Sequence, residues 1–133
     1  MISGSIKSES TFSPALNGVF VGQGNDYIHV DPDGKHLRLN AHGVIKTPDD
    51  ATVYINYTGI VDMTPALGAI LSGQSESTVT PFGNSFIHLT FETGDEKYSS
   101  LETGVWVAAG HFIYEKGNPP IVEYKVSKVV HKS

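Results

Sequence analysis

The residues of this chain that could do acid–base chemistry crowd into one alternating stretch, His36 to Thr58. Every second residue is polar: His36, Arg38, Asn40 and His42 on one run, then Thr52, Tyr54, Asn56 and Thr58 on the next. An imidazole, with an unperturbed pKa of about 6.5, can give or take a proton near neutrality. A phenol can donate a proton or a hydrogen bond. A guanidinium flanked by carboxamides can hold the oxygen of a carboxylate, enolate or phenolate. The set reads as proton shuttling on a small organic molecule, with Arg38, His42 and Tyr54 as catalytic residues and Asn40 and Asn56 beside Arg38 as oxygen holders. Each catalytic candidate also has a plainer reading: an arginine lying along a sheet, a histidine hydrogen-bonded within it, a tyrosine packed as an amphipathic ring.

Such a set must be positioned by strands. Strict alternation is the period of a half-buried β-strand. Leu37, Leu39, Ala41, Gly43 and Ile45 share the apolar face of the first strand; Val53, Ile55 and Tyr57 share that of the second. Thr47-Pro48-Asp49-Asp50 is turn chemistry. Folding about it with the polar faces in agreement sets His42 opposite Asn56 and Asn40 opposite Thr58. Upstream, Asp26 to Asp31 reads as another strand, turned by Pro32-Asp33-Gly34. Aligning Val30 with Lys35 places His29 opposite His36, Tyr27 opposite Arg38 and Asn25 opposite Asn40. Three strands then share one polar face with Arg38, the only arginine of the chain, and no carboxylate. A solvated face mixes both signs of charge, so this absence points to a binding surface. Tyr27, His29, Asn40, Asn56 and Thr58 are its expected ligand-binding residues, joined by His88 and Trp106 from later strands. Core packing is the competing reading of Trp106. The polar face is expected to line an enclosed cavity. The counterweight is that Leu37, Leu39, Ile45, Val53 and Ile55 also need cover, and a barrel interior is their simplest home.

The 133 residues suffice for one domain, taken as residues 1–133. Fourteen glycines and seven prolines divide the chain into short pieces, as a many-stranded β protein requires. Without cysteine there is no disulfide, zinc-thiolate site or cysteine nucleophile. A net charge of -5 argues against a nucleic-acid partner. No apolar run approaches the ~20 residues of a membrane span, and MISGSIKSES lacks the apolar core of a signal peptide, so a soluble, cytoplasmic location is expected. His29, His36, His42 and His88 show no regular ligand spacing, so no metal site is expected. Gly22-Gln23-Gly24 lacks the third glycine and the following helix of a dinucleotide fingerprint, and there is no phosphate loop; no cofactor is expected.

Leu16 to Val21 reads as a strand ending at that glycine pair, Ile2 to Lys7 as a short first strand, and Thr11 to Pro14 as a turn. Thr64 to Ser72 predicts the clearest helix, with Thr64 as its cap, Pro65 at its first position and Gly73 at its end. Val79 to Glu92 returns to strand, with Ile87, Leu89 and Phe91 facing one way and His88, Thr90 and Glu92 the other. Gly94 to Glu102 reads as a loop with a helical turn anchored by Tyr98 and Leu101. Val105 to Tyr114 and Ile121 to Val130 complete about eight strands, a number that can close a small barrel.

Several pieces, in order, resemble a known family. Ser13-Pro14-Ala15-Leu16-Asn17-Gly18 is similar to its Gly-Pro-x-Leu-x-Gly, Asp26-Tyr27 to its Asp-Trp, and Pro32-Asp33-Gly34 to its Pro-Asp-Gly. Phe91-Glu92-Thr93-Gly94 with Tyr98 and Leu101 is similar to its Phe-Glu-Thr-Gly-x-x-x-Tyr-x-x-Leu. The resemblance, over Thr11 to Val126, is to the small β-barrels of the domain of unknown function 3237 family. Asn40, His42 and Asn56 stand where members often carry Asp, Arg and Arg, so the relatives' charged network is largely neutralised here. The resemblance implies an all-β, calycin-like antiparallel barrel with one short helix, a homodimer, and work on cyclic secondary metabolites. The expected function is a cofactor-independent isomerase or cyclase acting on a polyketide-, alkaloid- or terpenoid-like ligand. The rival classes are a non-catalytic carrier barrel and a structural subunit whose polar face is merely solvated.

Overall fold

A computed structural model describes residues 4–10, 12 and 14–131. Ile2, Thr11 and Ser13, which carry part of the expected first strand and first turn, lie outside the described residues. The elements are β1 (Ser5–Ile6), β2 (Gly18–Asp26), β3 (His29–Val30), β4 (His36–Lys46), β5 (Thr52–Asp62), α1 (Pro65–Leu71), β6 (Thr78–Val79), β7 (Ser85–Thr93), a 3₁₀ helix (Glu96–Leu101), β8 (Trp106–Tyr114) and β9 (Ile121–Lys128). All strand pairings are antiparallel. They form one nine-stranded sheet ordered β1-β2-β4-β5-β7-β8, with β3 extending the β2 side of β4, β6 extending the β7 side of β8, and β9 outside β8. The sheet curls into a half-barrel. Among the described residues no pairing joins β1 to β9, so these are its two ends.

The β4–β5 hairpin has the expected register, with His42 opposite Asn56 and Asn40 opposite Thr58. Its turn is locked by Thr47, whose Oγ1 accepts from Ala51 N at 3.0 Å, while Asp50 takes a φ of 68°. Few residues other than glycine adopt that region, aspartate among them. The upstream pairing differs from expectation by two residues. His29 lies opposite Arg38 and Asn25 opposite His42, and Tyr27 N donates to Asn40 O at 2.9 Å. The ladder closes at Asp31, whose N–H donates to His36 O at 2.9 Å, leaving Pro32 to Lys35 in a looser turn with Gly34 at φ 70°. A two-residue shift keeps every side chain on its face. The expected break at Gly22-Gln23-Gly24 is instead a bulge: β2 runs on to Asp26, its register shifting between Val21 and Asn25, with Gly22 at φ 67°.

The apolar face became the core. Leu39, Ile45, Val53, Ile55, Ile87, Leu89 and Phe91 are buried in one cluster. It is roofed by Leu67 of α1, by Tyr98 and Leu101 of the 3₁₀ helix, and by Leu16. The expected helix is present with its cap: Thr64 Oγ1 accepts from Leu67 N at 3.2 Å. Glycines on this face allow the curl. A Cβ on Gly59 would lie 2.2 Å from Phe86 O, and one on Gly43 would lie 2.8 Å from the Phe20 ring.

Candidate functional site

With one face sealed, the other is the open surface of the sheet. Cross-strand register sorts it into rows. Arg38, Ile60, Phe86, Ala109 and Lys125 form one row. Asn40, Thr58, His88, Val107 and Ser127 form the next, and His42, Asn56 and Thr90 a third. Successive rows are about 7 Å apart, two residues along a strand. The first two rows, apart from Asn40, line an open trough of about 820 Å³. Its floor is apolar at Ile60, Phe86 and Val107; Arg38, His88 and Lys125 are its basic groups, and no carboxylate lines it. Phe86, the second residue of β7, is 53% exposed. The expectation of an enclosed cavity is therefore corrected for the single chain. Arg38 is 49% exposed, because the sheet curls around its apolar face and leaves the polar one outside.

The acid–base candidates are His42 of the third row and Tyr54 of the row beyond it, opposite Val44 and Glu92. His42 Nδ1 and Tyr54 Oη share a close hydrogen bond. The Tyr27 ring meets the His42 ring edge-on, centroids 6.4 Å apart. Asn56 Nδ2 donates to Asn40 Oδ1 at 3.1 Å and to Ala41 O at 2.8 Å. Both of its amide hydrogens are thus engaged, so Asn56 orients Asn40 and does not itself donate to a bound oxygen. The Asn40 amide nitrogen is the donor left facing outward. Thr58 Oγ1 and His88 Nε2 are 2.7 Å apart in the middle row. The structure thus brings Arg38, Asn40, His42, Tyr54, Asn56, Thr58 and His88 onto one surface, with Tyr27 and His29 at its exposed margin.

Trp106 does not join them. It is 4% exposed, edge-on to Phe12 and Phe91, and its Nε1–H donates to Leu101 O at 3.0 Å. The core-packing reading holds, because its position in β8 falls on the apolar parity.

The face is not free of carboxylates, contrary to the sequence reading. Arg38 Nε donates to Asp31 Oδ1 at 3.0 Å and Nη2 to Asp31 Oδ2 at 2.9 Å. The Arg38 hydrogen bonds hold the Asp31 carboxyl below its ordinary range. Only Nη1 remains without a hydrogen bond among the described residues. Glu92 stands opposite Tyr54 on β7. Asp26 is on the other side of the sheet, opposite Ala41, its Oδ1 accepting from Asn40 N at 3.2 Å; burial raises its pKa against that hydrogen bond. Asp31 ends the expected strand Asp26 to Asp31 and shares the parity of His29, but the assumed register, Val30 with Lys35, set it opposite Gly34 and away from Arg38. Phe86 and Ile60 were legible by parity with His88 and Thr58.

Among the described residues, one group has the proximity of a metal site: Asp31, Asp33 and His36 at the exposed β3–β4 turn. Asp31 is already engaged by Arg38, and Asp33 by Lys35 N at 2.8 Å. The four-histidine set considered from the sequence is not gathered.

No helix among the described residues is long and apolar enough to cross a membrane. The family described as protein of unknown function (DUF3237) matches residues 1–129. No curated protein matches the chain. Three solved structures are similar. A β-barrel-like protein from Acinetobacter baumannii is 22% identical with a TM-score of 0.65, over 96% of this chain and 73% of that one. A protein of unknown function from Clostridium acetobutylicum is 25% identical with a TM-score of 0.65, over 95% and 77%. One from Rhodopseudomonas palustris is 22% identical with a TM-score of 0.71, over 96% and 76%.

Proposed function

The chain belongs to the DUF3237 family, and we propose that it binds a small cyclic organic molecule on the polar face of its half-barrel and moves a proton on it. The reaction class is a cofactor-independent isomerisation or cyclisation. The observation that carries this reading is the hydrogen bond between His42 Nδ1 and Tyr54 Oη, set on an open face beside an apolar trough.

In this reading the ligand lies along the face: an anionic end rests on the apolar trough, held by Arg38 Nη1 and Lys125, and the reacting carbonyl, one row short of His42, is held by the Asn40 amide. As Tyr54 Oη takes a proton from the carbon next to that carbonyl, its own proton passes to His42 Nδ1. The electron pair of the broken C–H bond becomes the enolate π bond, and the carbonyl oxygen gains the charge that the Asn40 amide receives. Return of a proton to a different carbon, or attack of the enolate on a second carbonyl of the same molecule, completes the step and restores Tyr54 and His42. An anionic ligand suits the trough, whose charged lining residues are Arg38 and Lys125.

The second reading is a carrier. It is favoured by the mutual satisfaction of the polar groups: Arg38 with Asp31, Thr58 with His88, Asn56 with Asn40. Deuterium exchange separates the two without knowledge of the product. Cyclic 1,3-diketones and naphthols are incubated with the protein in heavy water and followed by NMR. Enzyme-dependent exchange at a carbon of a bound probe supports acid–base catalysis. Binding without exchange leaves the carrier, and no binding by any probe rejects both.

A further inference from the structure

Among the described residues, β9 is the long edge of the sheet, with β8 as its one strand partner. At the other end β1 has two residues, whereas β9 has eight, and Tyr124 is the one of these that is not exposed. Val122 and Val126, alternating with the charged Glu123 and Lys125, are 37% and 38% exposed. Backbone hydrogen bonding tells which groups of this edge are unused. In an antiparallel ladder, residues alternate between pairs that exchange hydrogen bonds and pairs that do not. Val129 N donates to Val105 O at 2.8 Å, in step with the β8–β9 register. The odd-numbered residues of β9 therefore bond to β8, and Val122, Tyr124 and Val126 turn their N–H and C=O groups outward. The opposite side of β8 agrees: Phe112, opposite Val122, accepts through its carbonyl from Thr80 N.

We propose that β9 pairs antiparallel with β9 of a second copy of this chain, with Tyr124 opposite Tyr124 on the two-fold axis. Three features select this occupant and this register. The outward backbone groups of Val122, Tyr124 and Val126 meet those of Val126, Tyr124 and Val122 of the second copy, completing the ladder. Glu123 falls opposite Lys125 of the second copy, and Lys125 opposite its Glu123, so the interface holds two opposite-charge pairs. Slipping by one step in either direction keeps the backbone bonds possible but sets Glu123 against Glu123, or Lys125 against Lys125, which is unfavourable. The valines meet on the apolar side of the sheet, extending the core face across the axis.

The interface borders the candidate site. Lys125 and Ser127 of β9 line the trough, so Glu123 of the second copy would stand at its rim beside Lys125. Glu123 already accepts a hydrogen bond from His111 Nε2 at 2.8 Å, which holds it on the trough side. Isologous pairing of this kind closes on itself and makes a dimer, not a filament.

The test uses the full chain. Analytical ultracentrifugation gives its mass over a concentration series, and amide hydrogen exchange is read at Val122, Tyr124 and Val126. The expected result is a reversible dimer in which these three amides gain protection with concentration. Glu123→Lys and Lys125→Glu should each weaken association by roughly tenfold or more, and the double exchange should restore it. Val126→Pro should give a folded monomer, since that N–H faces outward and its loss costs the single chain no ladder bond. A wild-type monomer at all concentrations with free exchange at the three amides overturns the proposal. So does a dimer that survives both single reversals and Val126→Pro.

Discussion

Arg38 and Asp31 form a two-pronged ion pair across the β3–β4 turn, Nε to Oδ1 at 3.0 Å and Nη2 to Oδ2 at 2.9 Å. The guanidinium that the polar face offers to a ligand is thus already half neutralised and held by one edge. Its orientation is set, and its outward reach is confined to Nη1. Asp31→Asn keeps the side chain's shape but removes the charge. Binding of an anionic ring such as a naphthoate should tighten in this variant and be lost in Arg38→Ala, measured by calorimetry. Thermal stability should move little in either, because the pair is exposed. Equal binding in wild type and Arg38→Ala would remove Arg38 from the site.

Tyr54→Phe deletes the hydroxyl that meets His42 Nδ1 and leaves the ring in place. Deuterium exchange into a bound diketone should fall by about 10²–10⁴-fold, the range of a lost acid–base group, with affinity nearly unchanged. His42→Ala should fall similarly. Because the two act as one relay, the double variant should be little worse than either single one. Additive losses would argue that they do not share a proton.

Gly59 marks where β5 must pass close to β7. A Cβ there would lie 2.2 Å from Phe86 O and 2.5 Å from Ile87 Cγ2, and backbone cannot move aside as a side chain can. Gly59→Ala should cost about 1–3 kcal/mol in denaturant unfolding, the scale of overpacking a core. A neutral effect would show that the sheet relaxes freely at this point.

Asp49 ties the β4–β5 turn to the 3₁₀ helix. Its carboxylate receives Lys97 Nζ at 2.8 Å and Tyr98 Oη at 2.9 Å, together with Thr47 Oγ1. Lys97 first, then Thr47 and Tyr98, lower its pKa well below the ordinary carboxylate value of 3.8. A group whose folded pKa is depressed adds stability above its unfolded pKa and loses it as the pH falls through the folded one. Asp49→Asn should therefore be less stable than wild type near neutrality, and the two unfolding curves should converge in strong acid. A difference independent of pH would mean that shape, not charge, holds the turn.

Sequence by itself determined which face each strand residue occupies. Period-two alternation is local, and a sheet with one buried face penalises any odd slip, so His42 opposite Asn56 followed from pattern and turn. The helix cap at Thr64 and the anchors Tyr98 and Leu101 were equally local, a short polar residue before an apolar run and two apolar residues in a polar one. An even slip keeps the same faces and was invisible to alternation. Only the folded turn decided that His29 pairs with Arg38, and with it that Asp31 reaches Arg38. Which face would be enclosed was also beyond local reading. The direction in which a sheet curls depends on what roofs it, and Leu16, Leu67, and Tyr98 with Leu101 come from three separate segments of the chain. Their convergence on the apolar face left Arg38, His42 and Tyr54 on the open one.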